Sequence, residues 1–239
     1  MPEVDLFTLS WSALRQGVAE LPDAAFERPS GCRGWRIRDL VLHLALQAQD
    51  VLITLATPAE TAPTADALSY WTPRPTPPGG QDPQGPQGPL DALTVRLAAA
   101  YEDPALLRAH LEHVAAAASR AAQQAHPDLP VTTRGMTLTV RDYLSAHVLE
   151  WTLHHLDLVA LSQPDGAPAG GPPVPGPPAE SLADAREMVE RRLRLRLPEA
   201  WADADALRIA TGRRPATSAE RAELDALGPR GQMLPLSFG

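Results

Sequence analysis

Prolines and glycines cut this chain into a few long stretches, and those stretches have one good way to fold. Nine of the 26 prolines fall between residues 57 and 89, together with Gly79-Gly80, and a second Pro/Gly tract covers residues 162–179. A helix does not run through such tracts, because proline lacks the backbone N–H and clashes with the preceding turn. The stretches between them are rich in Ala, Leu and Arg, which lose little freedom on entering a helix. Aromatic residues are only 5% of the chain, and runs of alternating Val, Ile, Thr and Tyr, the mark of strands, are scarce. The expected class is mainly α.

A first helix is expected over residues 3–20, with Leu6, Leu9, Leu14, Val18 and Leu21 as its apolar stripe and Pro22 as its end. A second is expected over 37–56. Asp39 lies in its first turn, where a carboxylate favours the helix dipole, and Leu40, His43, Leu44, Gln47 and Val51 trace one face. The proline tract after it reads as an irregular loop, mobile at its centre, with Tyr70-Trp71 as an anchor beside the bundle. A third helical region spans 90–125, and Asp103-Pro104 within it reads as a cap followed by a restart. Residues 132–138 include a short extended piece. The fourth helix begins at Thr139-Val-Arg-Asp142, a capping-box-like start with Asp in place of Glu, and continues to about 161.

Four long helices in residues 1–161 predict an antiparallel four-helix bundle, a fold that builds metal sites from facing helices. Residues 162–179 are the expected linker. Residues 180–239 form a small C-terminal appendage, with a helix near 180–197 and another element around 206–215. That appendage is too short to bury a core by itself, so it is expected to pack on the bundle.

Charge and cysteine content narrow the function. A net charge of −8 disfavours nucleic acid, which needs a basic surface. All 21 basic residues are arginine, which removes Schiff-base and general-base lysine chemistry. Cys32 is the sole cysteine, so neither an internal disulfide nor a Cys-based zinc cluster is possible. No apolar run approaches the ~20 residues of a membrane span, and the acidic start, Met1-Pro-Glu-Val-Asp, does not read as a signal peptide. The expectation is a cytoplasmic monomer or homodimer that acts on a small molecule. Glycine-rich nucleotide loops, a G-x-S-x-G elbow and H-E-x-x-H are all absent, and Ser145 in mid-helix is a poor nucleophile.

One segment carries chemistry: His147-Val-Leu-Glu150-Trp-Thr-Leu-His154-His155-Leu-Asp157. Glu150 and His154, four residues apart, project from one face of a helix. A lone histidine such as His43 is more often a core residue, and an isolated E-x-x-x-H pair is more often a surface contact. Glu150, however, stands between Leu149 and Trp151 in a helix whose stripe through Leu144, His147, Trp151, His154 and Leu158 should be at least partly buried, and a buried carboxylate must be paired, protonated or metal-bound. His43, Glu150 and His154 together make a plausible shell for a divalent metal, most simply zinc, with an open position of the catalytic kind. Asp157 can accept the other ring N–H of a ligating histidine. His147 is placed as a fourth ligand or proton carrier, His155 outside the site, His110 and His113 toward solvent, and His126 at the surface.

The residues also carry a resemblance. Gly34-Trp35-Arg-Ile-Arg-Asp39-Leu-Val-Leu-His43-Leu and Glu150-Trp-Thr-Leu-His154-His-Leu-Asp157-Leu resemble the two signatures of the mycothiol-dependent maleylpyruvate isomerase family, within the DinB-like metal-binding four-helix bundles. The resemblance covers roughly residues 5–161 and implies His43, Glu150 and His154 as metal ligands, with zinc preferred and nickel the alternative. It implies a low-molecular-weight thiol, mycothiol or a counterpart such as bacillithiol, as the source of the nucleophilic sulfur in place of Cys32. The implied outcome is isomerisation or S-transfer on a small electrophile. Leu207-Arg208-Ile-Ala-Thr-Gly212-Arg213-Arg214-Pro215 resembles a Gly-Arg segment of the family's C-terminal part, which makes Arg208, Arg213 and Arg214 candidates for cofactor or substrate carboxylates. Arg36 stands where Thr is usual, the proline loop is expanded and the tail is shorter. The rival readings are a metal-water hydrolase on the same ligands and a non-catalytic, stress-associated metal-binding bundle.

Overall fold

The apolar stripes of four helices close on a single core. The computed structural model describes residues 3–72, 89–160 and 174–236. The centre of the first proline tract and most of the expected linker lie outside those residues. Helix α1 spans Glu3–Glu20, α2 Ile37–Leu55, α3 Pro89–Ala99 and α4 Pro104–Gln124. Strands β1 (Pro130–Thr133) and β2 (Met136–Thr139) form an antiparallel hairpin in the register Pro130↔Thr139 and Thr133↔Met136. Helix α5 follows at once, Val140–Val159. The caps act as their residue types suggest: Asp103 accepts from Ala105 N, Thr139 accepts from Asp142 N, and Arg36 N donates to the Asp39 carboxylate at 2.8 Å.

Helices α1, α2, α4 and α5 form the bundle, with α3 beside α2. Pairings along the helices give their directions. Phe7 and Trp11 meet Trp151 while Gly17 lies near His155 and Leu158, so α1 and α5 run the same way. Trp11 reaches Ala115 and Arg15 reaches Glu112, so α4 opposes α1. The chain reverses between α1 and α2 and between α4 and α5, and the long crossover lies between α2 and α4.

The buried stripe of α1 is Phe7, Trp11, Leu14, Val18 and Leu21, and Leu9 is only partly buried. Leu6, Leu14, Val18 and Leu21 are buried as expected, and Phe7 and Trp11 complete the face that counting leucines alone leaves out. Trp11 stacks on Trp151 with ring centroids 4.0 Å apart at the centre of the bundle. Burying side chains of this size contributes roughly 1.5–3 kcal/mol each.

The tail adds α6 (Ala179–Leu193), α7 (Asp203–Ala210), α8 (Ser218–Ala226) and the single turn α9 (Pro229–Gln232). Helix α6 ends four residues before the expected 197, because Arg194 takes the left-handed conformation (φ 50°) that closes a helix C-terminus. Helices α6 and α7 pack on α5, and Ala185, Val189, Leu207, Ile209 and Leu224 join the same core as the bundle. This covering explains the character of α5. Every residue from Ala146 to Leu158 except Glu150 is buried, since α1 and α2 take one side and the tail takes the other.

Candidate metal centre

Helix periodicity puts His43 and Gln47 on one face of α2, and Glu150, His154 and Asp157 on one face of α5. Where those faces meet, Glu150 Oε1 lies 3.1 Å from His154 Nε2 and 3.4 Å from His43 Nε2. The two imidazoles approach edge to face with centroids 4.9 Å apart, and Trp35 packs on His43 at 5.0 Å. The three expected ligands therefore converge, with donor atoms within 4.8 Å of one another. Their side chains keep 20%, 16% and 10% exposure for His43, Glu150 and His154, so the cluster opens toward solvent on one side.

The electrostatics are those of a carboxylate held between two imidazoles. Burial alone would raise the Glu150 pKa, but His154 and His43 outweigh it and hold the carboxyl well below its ordinary value. Among the described residues no arginine reaches it. Burial lowers His43, which stays neutral with its lone pair available, against a smaller opposing pull from Glu150. Burial also disfavours charge on His154, yet Glu150, with Cys32 and Asp157, lifts its pKa well above the usual imidazole value. Gln47 sits at the edge of the cluster, its amide 3.3 Å from His43 Nε2 and its Oε1 buried with no partner. An unpaired buried acceptor beside two imidazoles and a half-buried carboxylate is a donor set that fits a divalent cation.

The far side of His154 is finished differently. Its Nδ1 lies 3.1 Å from Asp157 Oδ2, the partner expected for a ligating histidine. Arg213 donates to both Asp157 oxygens, from Nε at 2.9 Å and from Nη2 at 3.0 Å. The Cys32 thiol donates to Asp157 Oδ2 at 3.2 Å and lies 3.6 Å from His154 Nδ1. Gly31 N donates to the Asp157 carbonyl at 2.8 Å, and a Cβ on Gly31 would come within 2.7 Å of Asp157 Cα. Glycine is what lets the Cys32 loop lie against α5. Cys32, His154 and Asp157 also lie close enough together to hold an ion. Arg213 already occupies that carboxylate as a permanent cation, and burial raises the Cys32 pKa and keeps the thiol protonated. The first triad is the better metal site.

The remaining candidates separate. His147 is fully buried among Tyr70, Tyr143 and Trp151, its Nδ1 2.9 Å from the Tyr143 carbonyl, and among the described residues it makes no hydrogen bond or ring contact with the triad. Burial pushes its pKa down to about 4. His155 points away, to the Pro175 carbonyl at 2.9 Å. His110 is held by Tyr101 Oη at 2.6 Å and Gln49 at 3.2 Å, half-buried where a solvent-facing residue was expected, because α3 and its following turn bring Tyr101 over it. His113 and His126 are exposed. Of the three tail arginines, Arg213 enters the site through Asp157, whereas Arg214 pairs with Glu220 and Arg208 lies 3.7 Å from Asp205. The Asp157–Arg213 pair, the Cys32 contact and the Gln47 amide went unassigned from sequence. Only Gln47 left a signal there, as a polar residue one turn beyond His43.

The model of the "Mycothiol maleylpyruvate isomerase N-terminal domain" family matches residues 7–159. The chain belongs to that family. No curated protein matches it. Among solved structures it is similar to the mycothiol-dependent maleylpyruvate isomerase (19% identity, TM-score 0.47) and to a histidine-to-alanine mutant of that enzyme (20%, 0.48). Each match takes in 80% of this chain and 66% of the other, just under two thirds of its length. No helix among the described residues is long and apolar enough to cross a membrane.

Proposed function

We propose that His43, Glu150 and His154 hold a divalent metal, zinc by preference, in an enzyme that uses a low-molecular-weight thiol of the mycothiol or bacillithiol type on a small electrophile, for isomerisation or S-transfer. The observation that carries this reading is the half-buried Glu150 carboxylate, shared by two imidazoles and by no arginine among the described residues, on the open side of a cluster whose other side is closed by Asp157 and Arg213. A metal bound there lowers the pKa of a coordinated thiol and makes thiolate available near neutral pH.

The chain's own residues prepare that site. Glu150 supplies the negative charge that offsets the cation. Asp157 accepts the Nδ1 proton of His154 and orients the ring, so that Nε2, which donates to Glu150, is the nitrogen that would give up its proton to a bound cation. Trp35 covers one face of the His43 ring. Cys32, protonated and turned to Asp157, leaves the nucleophilic role to the cofactor. Family membership and this donor set support the reading together.

The test is zinc content together with turnover of maleylpyruvate and of a generic electrophile, with mycothiol, with bacillithiol and with no thiol. Thiol-dependent turnover that vanishes in His43→Ala and His154→Ala is the expected result. Hydrolysis without thiol would assign the metal-water reaction, and bound zinc with no turnover under any condition would leave a non-catalytic bundle.

A further inference from the structure

One turn beyond His43 on α2, Gln47 carries its amide to the same cluster, with only 6% of the residue exposed. Leucine or methionine would fill this place on the buried face of α2 with no polar group to satisfy. The amide is instead poorly satisfied. Its Nε2 lies 3.3 Å from His43 Nε2 and 3.5 Å from Glu150 Oε1, beyond the roughly 2.7–3.2 Å of an ordinary hydrogen bond. Its Oε1 is buried and has no partner among the described residues.

Those separations suit a different kind of contact. Donor atoms held about 2.0–2.1 Å from a common tetrahedral centre stand about 3.3–3.4 Å from one another. Glu150 Oε1 lies 3.1 Å from His154 Nε2 and 3.4 Å from His43 Nε2, and the Gln47 amide lies 3.3 Å and 3.5 Å from two of these atoms. The near end of the amide therefore stands at the spacing of a fourth ligand. Charge decides which end that is. The Glu150 carboxylate attracts the Nε2 end, whereas a cation among the four atoms reverses the local sign and attracts the oxygen. Half a turn about the last side-chain bond exchanges the two ends, and that torsion is broad and nearly two-fold.

We propose that Gln47 is a fourth donor of the site, its Oε1 filling the coordination position that His43, Glu150 and His154 leave to a thiolate. The assignment deepens the function proposed above and rests on its three ligands. An amide oxygen is neutral and binds more weakly than an imidazole or a carboxylate, so it cannot stand in for a lost histidine. It keeps water, and with it the hydrolytic reaction, from the position. It yields to a thiolate, which brings both a charge and a softer atom.

Cobalt(II) is the probe, because its visible absorption reports the donor atoms around it. The full-length protein is loaded with cobalt and titrated from about pH 6 to about pH 9 without thiol. A water bound to such an ion loses a proton near pH 7, whereas an amide oxygen has none to lose. The wild-type spectrum should stay constant across this range. Gln47→Leu should bind zinc about tenfold more weakly and admit water, so its cobalt spectrum should change with a midpoint near neutral pH. Gln47→Glu, which keeps an oxygen at the same reach, should restore the constant spectrum. The metal-free Gln47→Leu protein should melt at or above the wild-type temperature, since the unpartnered acceptor is gone, which separates lost affinity from lost folding. Wild-type and Gln47→Leu spectra that titrate alike overturn the fourth donor, and cobalt lost in His43→Ala then shows that the three-ligand site stands without it. A constant wild-type spectrum that turns pH-dependent in Gln47→Leu, in a protein with no thiol-dependent turnover, keeps the fourth donor and removes the reaction.

Discussion

Glu150 and Asp157 lie seven residues apart on one face of α5, both close to the same imidazole, and they meet opposite fates. Each has a pKa held below its ordinary value by its partners despite burial. The partners of Glu150 are the rings of His43 and His154 and the amide of Gln47. Those of Asp157 are His154, the Cys32 thiol and the two-pronged grip of Arg213. An imidazole can give up its proton and offer a lone pair, whereas a guanidinium cannot. The partners of the first carboxylate can therefore release their protons. The second is neutralised for good, and its task is to orient His154.

That contrast breaks most decisively at the ligands. His43→Ala and His154→Ala should each abolish stoichiometric zinc and thiol-dependent turnover, because two remaining ligands do not hold the ion against competition. Glu150→Gln should weaken zinc less severely, since the amide keeps an oxygen and loses only the charge. Asp157→Asn, which acts through His154, should cost about 10–100-fold in affinity. Competition with a chromogenic chelator measures all four. Zinc retained in His43→Ala and lost in Cys32→Ser would move the metal to the other side of His154.

Arg213→Ala removes the permanent cation from a carboxylate whose side chain is 2% exposed. The expected loss is about 2 kcal/mol, or roughly 5 °C in melting temperature, with a modest fall in zinc affinity. A rise in zinc affinity would show that Arg213 had been competing with metal for Asp157.

Acidification sharpens the contrast between the site and the two structural histidines of α5. His147 and His155 are buried, and their pKa values lie at about 4 in the fold, below the ordinary 6.5. As pH falls, the unfolded chain takes up these protons first. Their stabilisation is therefore complete above pH 6.5 and is lost between about 6.5 and 4, by roughly 3 kcal/mol for each histidine. Urea unfolding across that window should show the loss, and His155→Gln should remove about half of it. The smallest effect belongs to Cys32→Ser, which should leave turnover intact and shift stability by about 1 kcal/mol or less. A dead Cys32→Ser enzyme would return the nucleophile to the chain.

The helices and the shared face of Glu150 and His154 were legible because both rest on local periodicity, whereas His43, 107 residues from Glu150, was joined to them by residue type and by the resemblance. Spacing of three to four residues decides which side chains share a face, and Pro and Gly mark where the faces end. The α1 stripe was incomplete because the leucines were counted and Phe7 and Trp11 were not. Helices α8 and α9 went unread, since nine-residue and four-residue elements carry too little periodicity to announce themselves. The burial of Tyr70 and Trp71 against α5 depends on contacts about 75 residues away in the chain, at Ala146 and its neighbours.

By itself the sequence determined a mainly helical chain, the helix faces that bear the imidazoles and the carboxylates, and the lack of any cysteine pair or lysine to do the chemistry otherwise. The tertiary structure alone decided which carboxylate stays open. Asp157 is silenced by Arg213, 56 residues away, and by Cys32, 125 residues away. Such pairings are not set by helical spacing. They arise because the tail must bury its apolar faces on α5, and in doing so it carries a guanidinium to one of two carboxylates that the local sequence leaves nearly alike.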